Sequence, residues 1–323
     1  MGTRTLGRFS SGTFLITGGT GSFGRQIAKS LLNLPVEEIR IFSRDEDLQR
    51  KMAAEFEDDR LKFLIGDVRD RDRLTEVMRM VDCVIHAAAL KQVPDCENHP
   101  FEAVQTNILG AQNVKSASEV AGVSALVFIS TDKAVKPVNA MGMTKALQEK
   151  IFLSPEMDHQ TRICGVRYGN VLGSRGSVVP HFVDLKRQGK PLVVTHQDMT
   201  RFILTLRDAV SLVFSAISDG IDSELFVMKR PACKIFDLAE VVSEGKVPIR
   251  IGNIRAGEKI HETLVQEEEM RRSIEDSKFY RIRSYGSKGV PRLTSRLTEY
   301  TSENTKRMTR DEISELLRNE GWL

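Results

Sequence analysis

The sequence has few cysteines, no long apolar run and no excess of either charge. Its four cysteines, at positions 83, 96, 164 and 233, are widely spaced and include no C-x-x-C pair. This spacing argues against a zinc site and against a disulfide framework. We therefore expect no bound metal and a reducing, cytoplasmic setting.

The charge balance argues against binding to nucleic acid. Lysine and arginine total 47 and aspartate and glutamate 44, which leaves a net charge of +3 and predicts neither a nucleic-acid nor a membrane-surface partner. No stretch approaches the roughly 20 apolar residues of a membrane span. The apolar segment after the basic start, Phe14 to Thr17, is too short for the core of a signal peptide.

Short β-branched runs alternate with longer amphipathic segments through the first two-thirds of the chain. This alternation predicts an α/β fold, with a Rossmann-like, doubly wound parallel sheet. The predicted strands are Thr13–Thr17, Glu38–Ser43, Leu61–Ile65, Cys83–His86, Ala125–Ser130 and Arg162–Tyr168. The predicted helices are Phe23–Leu34, Glu46–Phe56, Arg71–Met80, Phe101–Ala121 and Ala140–Phe152.

After Gly169 the alternation gives way to loops rich in Gly, Ser and Pro, which predicts a smaller C-terminal substrate-binding lobe. The predicted divisions are an extension at 1–12, the Rossmann domain at 13–169 with segments near 195–230 returning to it, a discontinuous lobe at 170–290, and a tail at 291–323. In that tail, Thr309 and Glu312 form a capping-box pattern before Ile313, Leu316 and Leu317. A terminal helix is expected, which either packs on the chain or contacts another copy; we favour packing.

A glycine-rich segment follows the first predicted strand and opens the first predicted helix. Glycines in such a turn allow backbone N–H groups to approach a pyrophosphate, and the helix N-terminus adds partial positive charge. The sequence therefore predicts a dinucleotide site that includes Gly18, Thr20, Gly21, Ser22, Phe23 and Gly24.

The second predicted strand ends in Ser43-Arg44-Asp45, where an acidic residue would hold the ribose of NAD. Arg44 instead suits the 2′-phosphate of NADP. The alternative is that Arg44 is a solvated charge and Asp45 a helix N-cap, so NAD remains open. The small residues Ala87, Ala88 and Ala89 after the fourth strand suit a cofactor that passes close by, although the same run also suits a helix or core.

Six segments between positions 14 and 262 carry a resemblance to a known family. They are Thr17 to Gly24, Ser43 to Asp45, His86-Ala87-Ala88-Ala89-Leu90-Lys91-Gln92-Val93-Pro94, Ser130-Thr131-Asp132-Lys133-Ala134, Arg167-Tyr168-Gly169-Asn170-Val171, and Arg255-Ala256-Gly257-Glu258-Lys259-Ile260-His261-Glu262. In this combination the sequence resembles the UDP-N-acetylglucosamine 4,6-dehydratases of the extended short-chain dehydrogenase/reductase family.

The resemblance implies further site residues. Asp67 and Val68 would contact the adenine, Lys91 would lie between cofactor and substrate, and Asn107 would support the active-site lysine. Without the resemblance, Asp67 would be interpreted as a helix cap and Asn107 as a surface or capping residue. Arg201 and Arg255 would each be interpreted as a surface charge. The implied substrate-binding residues are Lys91, Asn170, Val178, Arg201, Arg255 and Glu258.

A 4,6-dehydratase oxidises C4, removes the C5 proton, expels the C6 hydroxyl as water and returns the hydride to C6, so it needs an extra base and acid. By resemblance, Lys133 takes the C5 proton, Asp132 protonates the departing hydroxyl and Thr131 bonds the C4 oxygen. A basic Lys133 requires a pKa lowered by burial or by a nearby cation such as Lys145. The alternative is a solvated pair at the start of a loop.

Met141 stands where related enzymes carry the tyrosine of Tyr-x-x-x-Lys. A thioether cannot take the C4 hydroxyl proton, so three interpretations are open: loss of activity, transfer of the base role to Asp132, Lys133 or water, or a different enzyme class. The second is supported by resemblance to a 5-inverting branch, found in capsule and O-antigen synthesis, that also carries this methionine. Lys145 retains its role of orienting the nicotinamide ribose.

These expectations combine into one functional hypothesis. The chain is expected to be an NADP-dependent UDP-N-acetylglucosamine 4,6-dehydratase with C5 inversion, acting on that or a related UDP-hexosamine in bacterial surface-polysaccharide synthesis, as a homo-oligomer. A UDP-hexose 4-epimerase and a catalytically silent NADP or nucleotide-sugar binding protein are the alternatives. Ala256 replaces a proline common in the related Arg-Pro-Gly-Glu-Lys segment; this leaves the geometry of the lobe open.

Overall fold

Strands and helices alternate from Thr13 to Tyr168 in the computed structural model, which describes residues 6–154, 160–174, 176–284 and 298–323. The elements of this part are β1 (Thr13–Thr17), α1 (Ser22–Leu32), β2 (Glu38–Ser43), α2 (Glu46–Phe56), β3 (Leu61–Ile65), α3 (Arg71–Val77), β4 (Cys83–His86), α4 (Val93–Asn98), α5 (Pro100–Ala103), α6 (Gly110–Val120), β5 (Ala125–Thr131), α7 (Ala140–Leu153) and β6 (Arg162–Tyr168).

Shorter elements follow Gly169. They are β7 (Asn170–Val171), α8 (Val178–Arg187), β8 (Leu192–Val194), β9 (Thr200–Leu204), α9 (Leu206–Asp219), β10 (Glu224–Met228), β11 (Ala232–Lys234), α10 (Ile235–Ser243), β12 (Ile249–Ile251), β13 (Thr263–Val265), α11 (Glu267–Met270), β14 (Ser273–Glu275), β15 (Phe279–Arg283), β16 (Tyr300–Thr301) and α12 (Arg310–Asn319).

A nine-stranded sheet in the order β14-β15-β10-β6-β5-β4-β1-β2-β3 forms the centre of the molecule. Strands β1 to β6 are parallel to their neighbours, and β10 is parallel to β6 but antiparallel to β15. Strand β1 lies between β2 and β4, so the strand order reverses there and opens a crevice at the carboxyl ends. The predicted Rossmann-like fold is confirmed.

The inner strands are mostly buried because helices cover both faces of the sheet. Phe14 and Ile16 of β1 pack with residues of α1 and α9 on one face. Leu15 packs on the other face, with residues of α3, α6 and α7. This double cover holds the strand ends, and thus the crevice, in fixed positions.

A second core supports the smaller lobe and lies between α8, α10 and α12. It includes Phe182, Leu238, Ile313 and Leu317. The Thr309 hydroxyl accepts a hydrogen bond from Glu312 N–H, and the Glu312 carboxylate accepts one from Thr309 N–H, so the predicted capping box and terminal helix are confirmed. Ile313 and Leu317 bury their side chains in this core, as expected of a helix that packs on its own chain.

Apart from shifts of a few residues at the ends of helices, two sequence predictions differ from the structure. The predicted helix Phe101–Ala121 is divided into α5, a π-helical segment at Val104–Leu109 and α6. Strands β14 and β15 fall within the range predicted for the lobe, 170–290, yet they extend the central sheet. The boundary predicted near residue 290 lies outside the described residues.

Candidate active site

The glycine-rich turn after β1 is closely packed against the loop after β4. Gly18 has a φ of +68°, and a Cβ placed on it would lie 2.8 Å from the backbone of Ala88. A Cβ on Gly24 would lie 2.6 Å from the backbone of Gly19, so glycine is required for α1 to approach the strand. The glycine-rich turn and the Ala87–Ala89 segment are therefore adjacent. The sequence predicted each of them as part of the cofactor site.

The N-terminus of α1 is suited to an anionic group. Gly21 is its N-cap residue, and no described side chain caps the helix. The first-turn N–H groups of Ser22, Phe23 and Gly24 precede the helix's own hydrogen bonds and can bind phosphate. Thr20 is buried beneath the turn. These features fit the predicted dinucleotide, with its pyrophosphate at α1.

Arg44 and Asp67 meet at the ends of neighbouring strands β2 and β3. Arg44 is 56% exposed at its side chain, and its guanidinium lies 3.7 Å from Asp67 Oδ2. Asp67 also accepts hydrogen bonds from Arg69; burial would raise its pKa, but these hydrogen bonds and the arginine charges hold it below the usual range. Asp45 accepts a hydrogen bond from Leu48 N–H, so it is the N-cap of α2.

Ser43 and Val68, also predicted to bind the cofactor, lie near the ends of β2 and β3 and contact other parts of the protein. The Ser43 hydroxyl accepts a hydrogen bond of 3.0 Å from Gln49 Nε2. Val68 is buried in the core between α3 and α6. Both residues thus help to hold the strand ends that present Arg44 and Asp67.

The acid–base pair lies at the carboxyl end of β5. Asp132 has no exposed side-chain surface, and its Oδ1 accepts hydrogen bonds from Lys133 Nζ at 2.9 Å and Thr131 Oγ1 at 3.0 Å. Its Oδ2 has no hydrogen-bond partner among the described residues. A Cβ placed on Gly169 would lie 3.1 Å from this oxygen. The pair is not a solvated loop start, which was the alternative interpretation.

Glu262, from the lobe, is a second carboxylate near Lys133. Its Oε1 lies 3.8 Å from Lys133 Nζ, and only 2% of its side chain is exposed. Burial would lower the pKa of Lys133, but the charges of Asp132 and Glu262 outweigh burial and raise it above the usual range. The lowered pKa expected from the sequence, with Lys145 as the nearby cation, is therefore not found; the cation that acts in that direction is Arg201.

Met141 and Lys145 lie one helical turn apart on α7. Met141 is 4% exposed and packs with Cys96 and Ala103, in a small apolar cluster. Lys145 Nζ donates a hydrogen bond of 2.5 Å to Ile129 O. Burial lowers the pKa of Lys145 to about 8, against the opposing charge of Glu149.

Asn107 is fixed by hydrogen bonds to two neighbouring segments of the chain. It lies in the π-helical segment, a form that often occurs at functional sites. Its side chain exchanges hydrogen bonds with the backbone of Leu90, at 2.8 and 3.0 Å, and donates one to Thr144 Oγ1 at 3.0 Å. Asn107 thus joins the loop after β4 to α7 rather than contacting Lys145 itself.

The residues predicted to bind the nucleotide sugar are only partly brought together. Arg201 is 8% exposed, and its guanidinium donates to the carbonyls of Thr200, Lys259 and Ile260. Arg201 therefore holds the 259–262 segment. Arg255 and Glu258 form a turn, in which Arg255 N–H donates to Glu258 Oε2 at 3.1 Å.

The other predicted substrate residues lie on three different elements. Asn170 is in β7, and its Oδ1 is buried without a hydrogen-bond partner among the described residues. Val178 is the first residue of α8, and Lys91 is exposed on the loop after β4.

Sequence reasoning missed a buried charge network beneath the site. Arg167 in β6 is 2% exposed and donates to Glu149 at 2.9 and 2.6 Å and to Glu269 at 2.8 and 2.7 Å. The paired carboxylates raise its pKa despite burial. The sequence feature that could have predicted this network is Arg167 itself, a charged residue near the end of a mostly apolar strand. Because arginine is rarely buried unless it is paired, such a residue indicates nearby carboxylates.

His86, at the end of β4, is fully buried, and its Nδ1 lies 2.8 Å from Thr17 Oγ1. Burial, aided by the charge of Lys145, lowers its pKa from 6.5 to about 3. Because the unfolded chain then binds more protons than the native state, we expect stability to fall by up to about 1.4 kcal/mol per pH unit as the pH drops below 6.5.

Urea unfolding of wild type and His86→Gln between pH 7 and 4 measures this dependence. The variant should show a shallower loss toward acid, whereas substitution of the exposed His99 by glutamine should leave the slope unchanged. An unaltered slope in His86→Gln would contradict the assignment.

Comparison of the sequence with known proteins identifies its family. The sequence profile of a polysaccharide biosynthesis protein family matches residues 14–284. The chain belongs to this family. A protein of Rickettsia akari named UDP-glucose 4-epimerase is 44% identical over 96% of both chains.

Solved structures agree with the fold. Pen from Bacillus thuringiensis is 34% identical, with a TM-score of 0.92 over 98% of this chain and all of that one. DesIV, a dTDP-glucose 4,6-dehydratase from Streptomyces venezuelae determined with NAD bound, has a TM-score of 0.70 over 77% of this chain and 86% of its own. At 20% identity DesIV supports the fold alone. The chain is an enzyme of the extended short-chain dehydrogenase/reductase group, which includes nucleotide-sugar dehydratases and epimerases.

The part of the chain that the structure describes contains neither a candidate membrane-spanning helix nor a candidate metal site. Within it, no helix is both long and apolar enough to cross a membrane. The same ranges contain no group of three or more His, Cys, Asp or Glu side chains arranged to hold a metal ion.

Proposed function

We propose that the protein is an NADP-dependent UDP-N-acetylglucosamine 4,6-dehydratase that inverts C5 and serves surface-polysaccharide synthesis. The observation that carries the proposal is the buried Asp132–Lys133 pair at the end of β5, two strands from the glycine-rich turn. Oxidation of C4 alone needs one base, whereas loss of water across C5 and C6 needs an acid and a further base. The pair supplies both groups.

Asp132 is suited to replace the absent tyrosine. Its Oδ2 is buried and lacks a hydrogen-bond partner among the described residues, so its hydrogen-bonding capacity is unfilled, and a substrate hydroxyl that reaches it would fill that capacity. In the proposed sequence Asp132 accepts the C4 hydroxyl proton and then gives that proton to the C6 hydroxyl, which leaves as water. A dinucleotide held at the glycine-rich turn and by Lys145 would supply the acceptor for the C4 hydride and its donor to C6.

Lys133 takes the C5 proton and must be a neutral amine to do so. Because Asp132 and Glu262 raise its pKa, the resting side chain is an ammonium, and the rate of C5 deprotonation should rise with pH. Inversion then requires a proton from solvent to reach the opposite face of C5, while Lys133 releases to solvent the proton that it took. Met141, held in its apolar cluster, takes no part in this proton balance.

A UDP-glucose 4-epimerase is the second candidate, and the name of the Rickettsia akari relative favours it. An epimerase would oxidise C4 and return the hydride to the other face of the same carbon, so it has no use for a C5 base. The pair at the end of β5 therefore supports the dehydratase over the epimerase.

Incubation of the purified protein with UDP-N-acetylglucosamine in deuterated water tests the proposal. Loss of one water, deuterium at C5 and an inverted C5 configuration by NMR are expected. A C4 epimer that retains its water would support the epimerase instead. Substrate that binds but returns unchanged would support a silent binding protein.

Arg44 underlies the proposed preference for NADP. Its exposed guanidinium at the end of β2 is placed for a 2′-phosphate, whereas Asp45 is engaged as the α2 N-cap. We expect Arg44→Ala to weaken NADP binding about tenfold or more through loss of a charge-assisted hydrogen bond, with little change for NAD. Titration calorimetry with both cofactors measures this. Arg50→Ala, on the exposed surface of α2, is the control, and equal weakening of both cofactors by Arg44→Ala would contradict the assignment.

A further inference from the structure

Lys133 lies between two buried carboxylates that come from different parts of the fold. Asp132 is its chain neighbour and bonds Nζ at 2.9 Å, while Glu262 Oε1 approaches the same nitrogen to 3.8 Å. Lys133 is 23% exposed at its side chain, whereas both carboxylates are almost fully buried. The exposed side of Lys133 remains open to a substrate, and the two carboxylates fix the position of Nζ.

Glu262 is itself held on three sides. Lys259 Nζ lies 2.9 Å from Glu262 Oε2 and also donates to Val135 O, just beyond Lys133. Ser302 accepts a hydrogen bond from Glu262 N–H and donates its own N–H to Glu262 O. Arg201 Nε lies 3.9 Å from Oε1. A carboxylate fixed in this way acts on Lys133 at a constant distance.

We infer that Glu262 is a positioning residue for Lys133, which holds Nζ in place and stabilises the ammonium that forms when Lys133 takes the C5 proton. This inference rests on the proposed dehydration. The resting lysine is an ammonium, and only its neutral form can take the C5 proton. When it does so, it regains a charge that faces Asp132, Glu262 and Arg201. A nearby anion strengthens the base because it favours the protonated product.

Glu262→Gln tests the inference because the amide keeps the size of the side chain and removes its charge. The ammonium of Lys133 loses one stabilising anion, so we expect its pKa to fall. The pH at which C5 deprotonation reaches half its maximum should fall with it, and the maximum rate should drop by up to about tenfold because the lysine is a weaker base. Glu262→Asp should restore part of the rate, and Glu267→Gln, an exposed glutamate in α11, should match wild type.

Two readouts separate the inference from the proposed function. Product formation and C5 deuterium exchange report the reaction, and ¹⁵N NMR titration of Lys133 Nζ, assigned with Lys133→Arg, reports its pKa without any turnover. If wild type forms no dehydrated product, the proposed function fails, while the titration still tests the effect of Glu262 on Lys133. An unchanged Lys133 pKa in Glu262→Gln would overturn the inference. A lower rate with no shift in the pH profile would likewise mean a merely structural role.

Discussion

Lys133→Met should lower dehydration of UDP-N-acetylglucosamine by about 10²- to 10⁴-fold, the usual contribution of a general base. Methionine is close to lysine in length, so the substitution removes the amine with little change in packing. Oxidation of C4 precedes removal of the C5 proton, and the bound cofactor should therefore still become reduced when substrate is added. Stopped-flow absorbance of the reduced nicotinamide, with product analysis by mass spectrometry, measures the two steps separately.

Asp132→Asn should give a different result from Lys133→Met. If Asp132 accepts the C4 hydroxyl proton, the amide blocks the first step, and neither cofactor reduction nor product should appear at a rate near that of wild type. Lys136→Met is the matched control for Lys133→Met, because Lys136 lies in the same loop and its side chain is 54% exposed. Wild-type turnover in both Asp132→Asn and Lys133→Met, with normal cofactor binding, would show the proposed mechanism to be wrong.

Arg167→Met should destabilise the protein by about 3–5 kcal/mol, the usual cost of breaking a buried ion pair from one side. The substitution leaves Glu149 and Glu269 buried without their shared cation. Urea unfolding followed by circular dichroism measures the loss as a lower transition midpoint.

Two further variants test the cause of that loss. Arg271→Met breaks an ion pair whose arginine is 54% exposed and should change stability by less than about 1 kcal/mol. The triple variant Arg167→Met, Glu149→Gln, Glu269→Gln should recover part of the stability, because no uncompensated charge stays buried. A loss for Arg167→Met as small as that for Arg271→Met would mean that the network contributes little.

The network also bears on the candidate site. Glu149 lies one turn after Lys145 on α7, accepts hydrogen bonds from Ser130 and Arg167, and opposes the lowered pKa of Lys145. Arg167 thus joins β6 to the helix that presents Met141 and Lys145.

Local patterns in the sequence determined the Rossmann half of the fold and much of the site's location. Strands β1 to β4 and β6 have the predicted bounds, since each is a short segment that contains several β-branched or apolar residues. The glycine-rich turn and the Thr309 capping box depend on residues only a few positions apart. Because parallel strands present their carboxyl ends at one edge, the order of the motifs along the chain also placed Ala87–Ala89 near Gly18 and Asp132 near the crevice.

Only the tertiary structure decided the features that depend on residues far apart in the chain. Strands β14 and β15 join the central sheet through antiparallel pairing with β10, which no local pattern reports. The raised pKa of Lys133 depends on Glu262, more than a hundred positions away, and Arg201 serves the 259–262 segment through backbone hydrogen bonds. A sequence gives the types and order of charged groups, but their pKa values depend on burial and distance, which the fold alone sets.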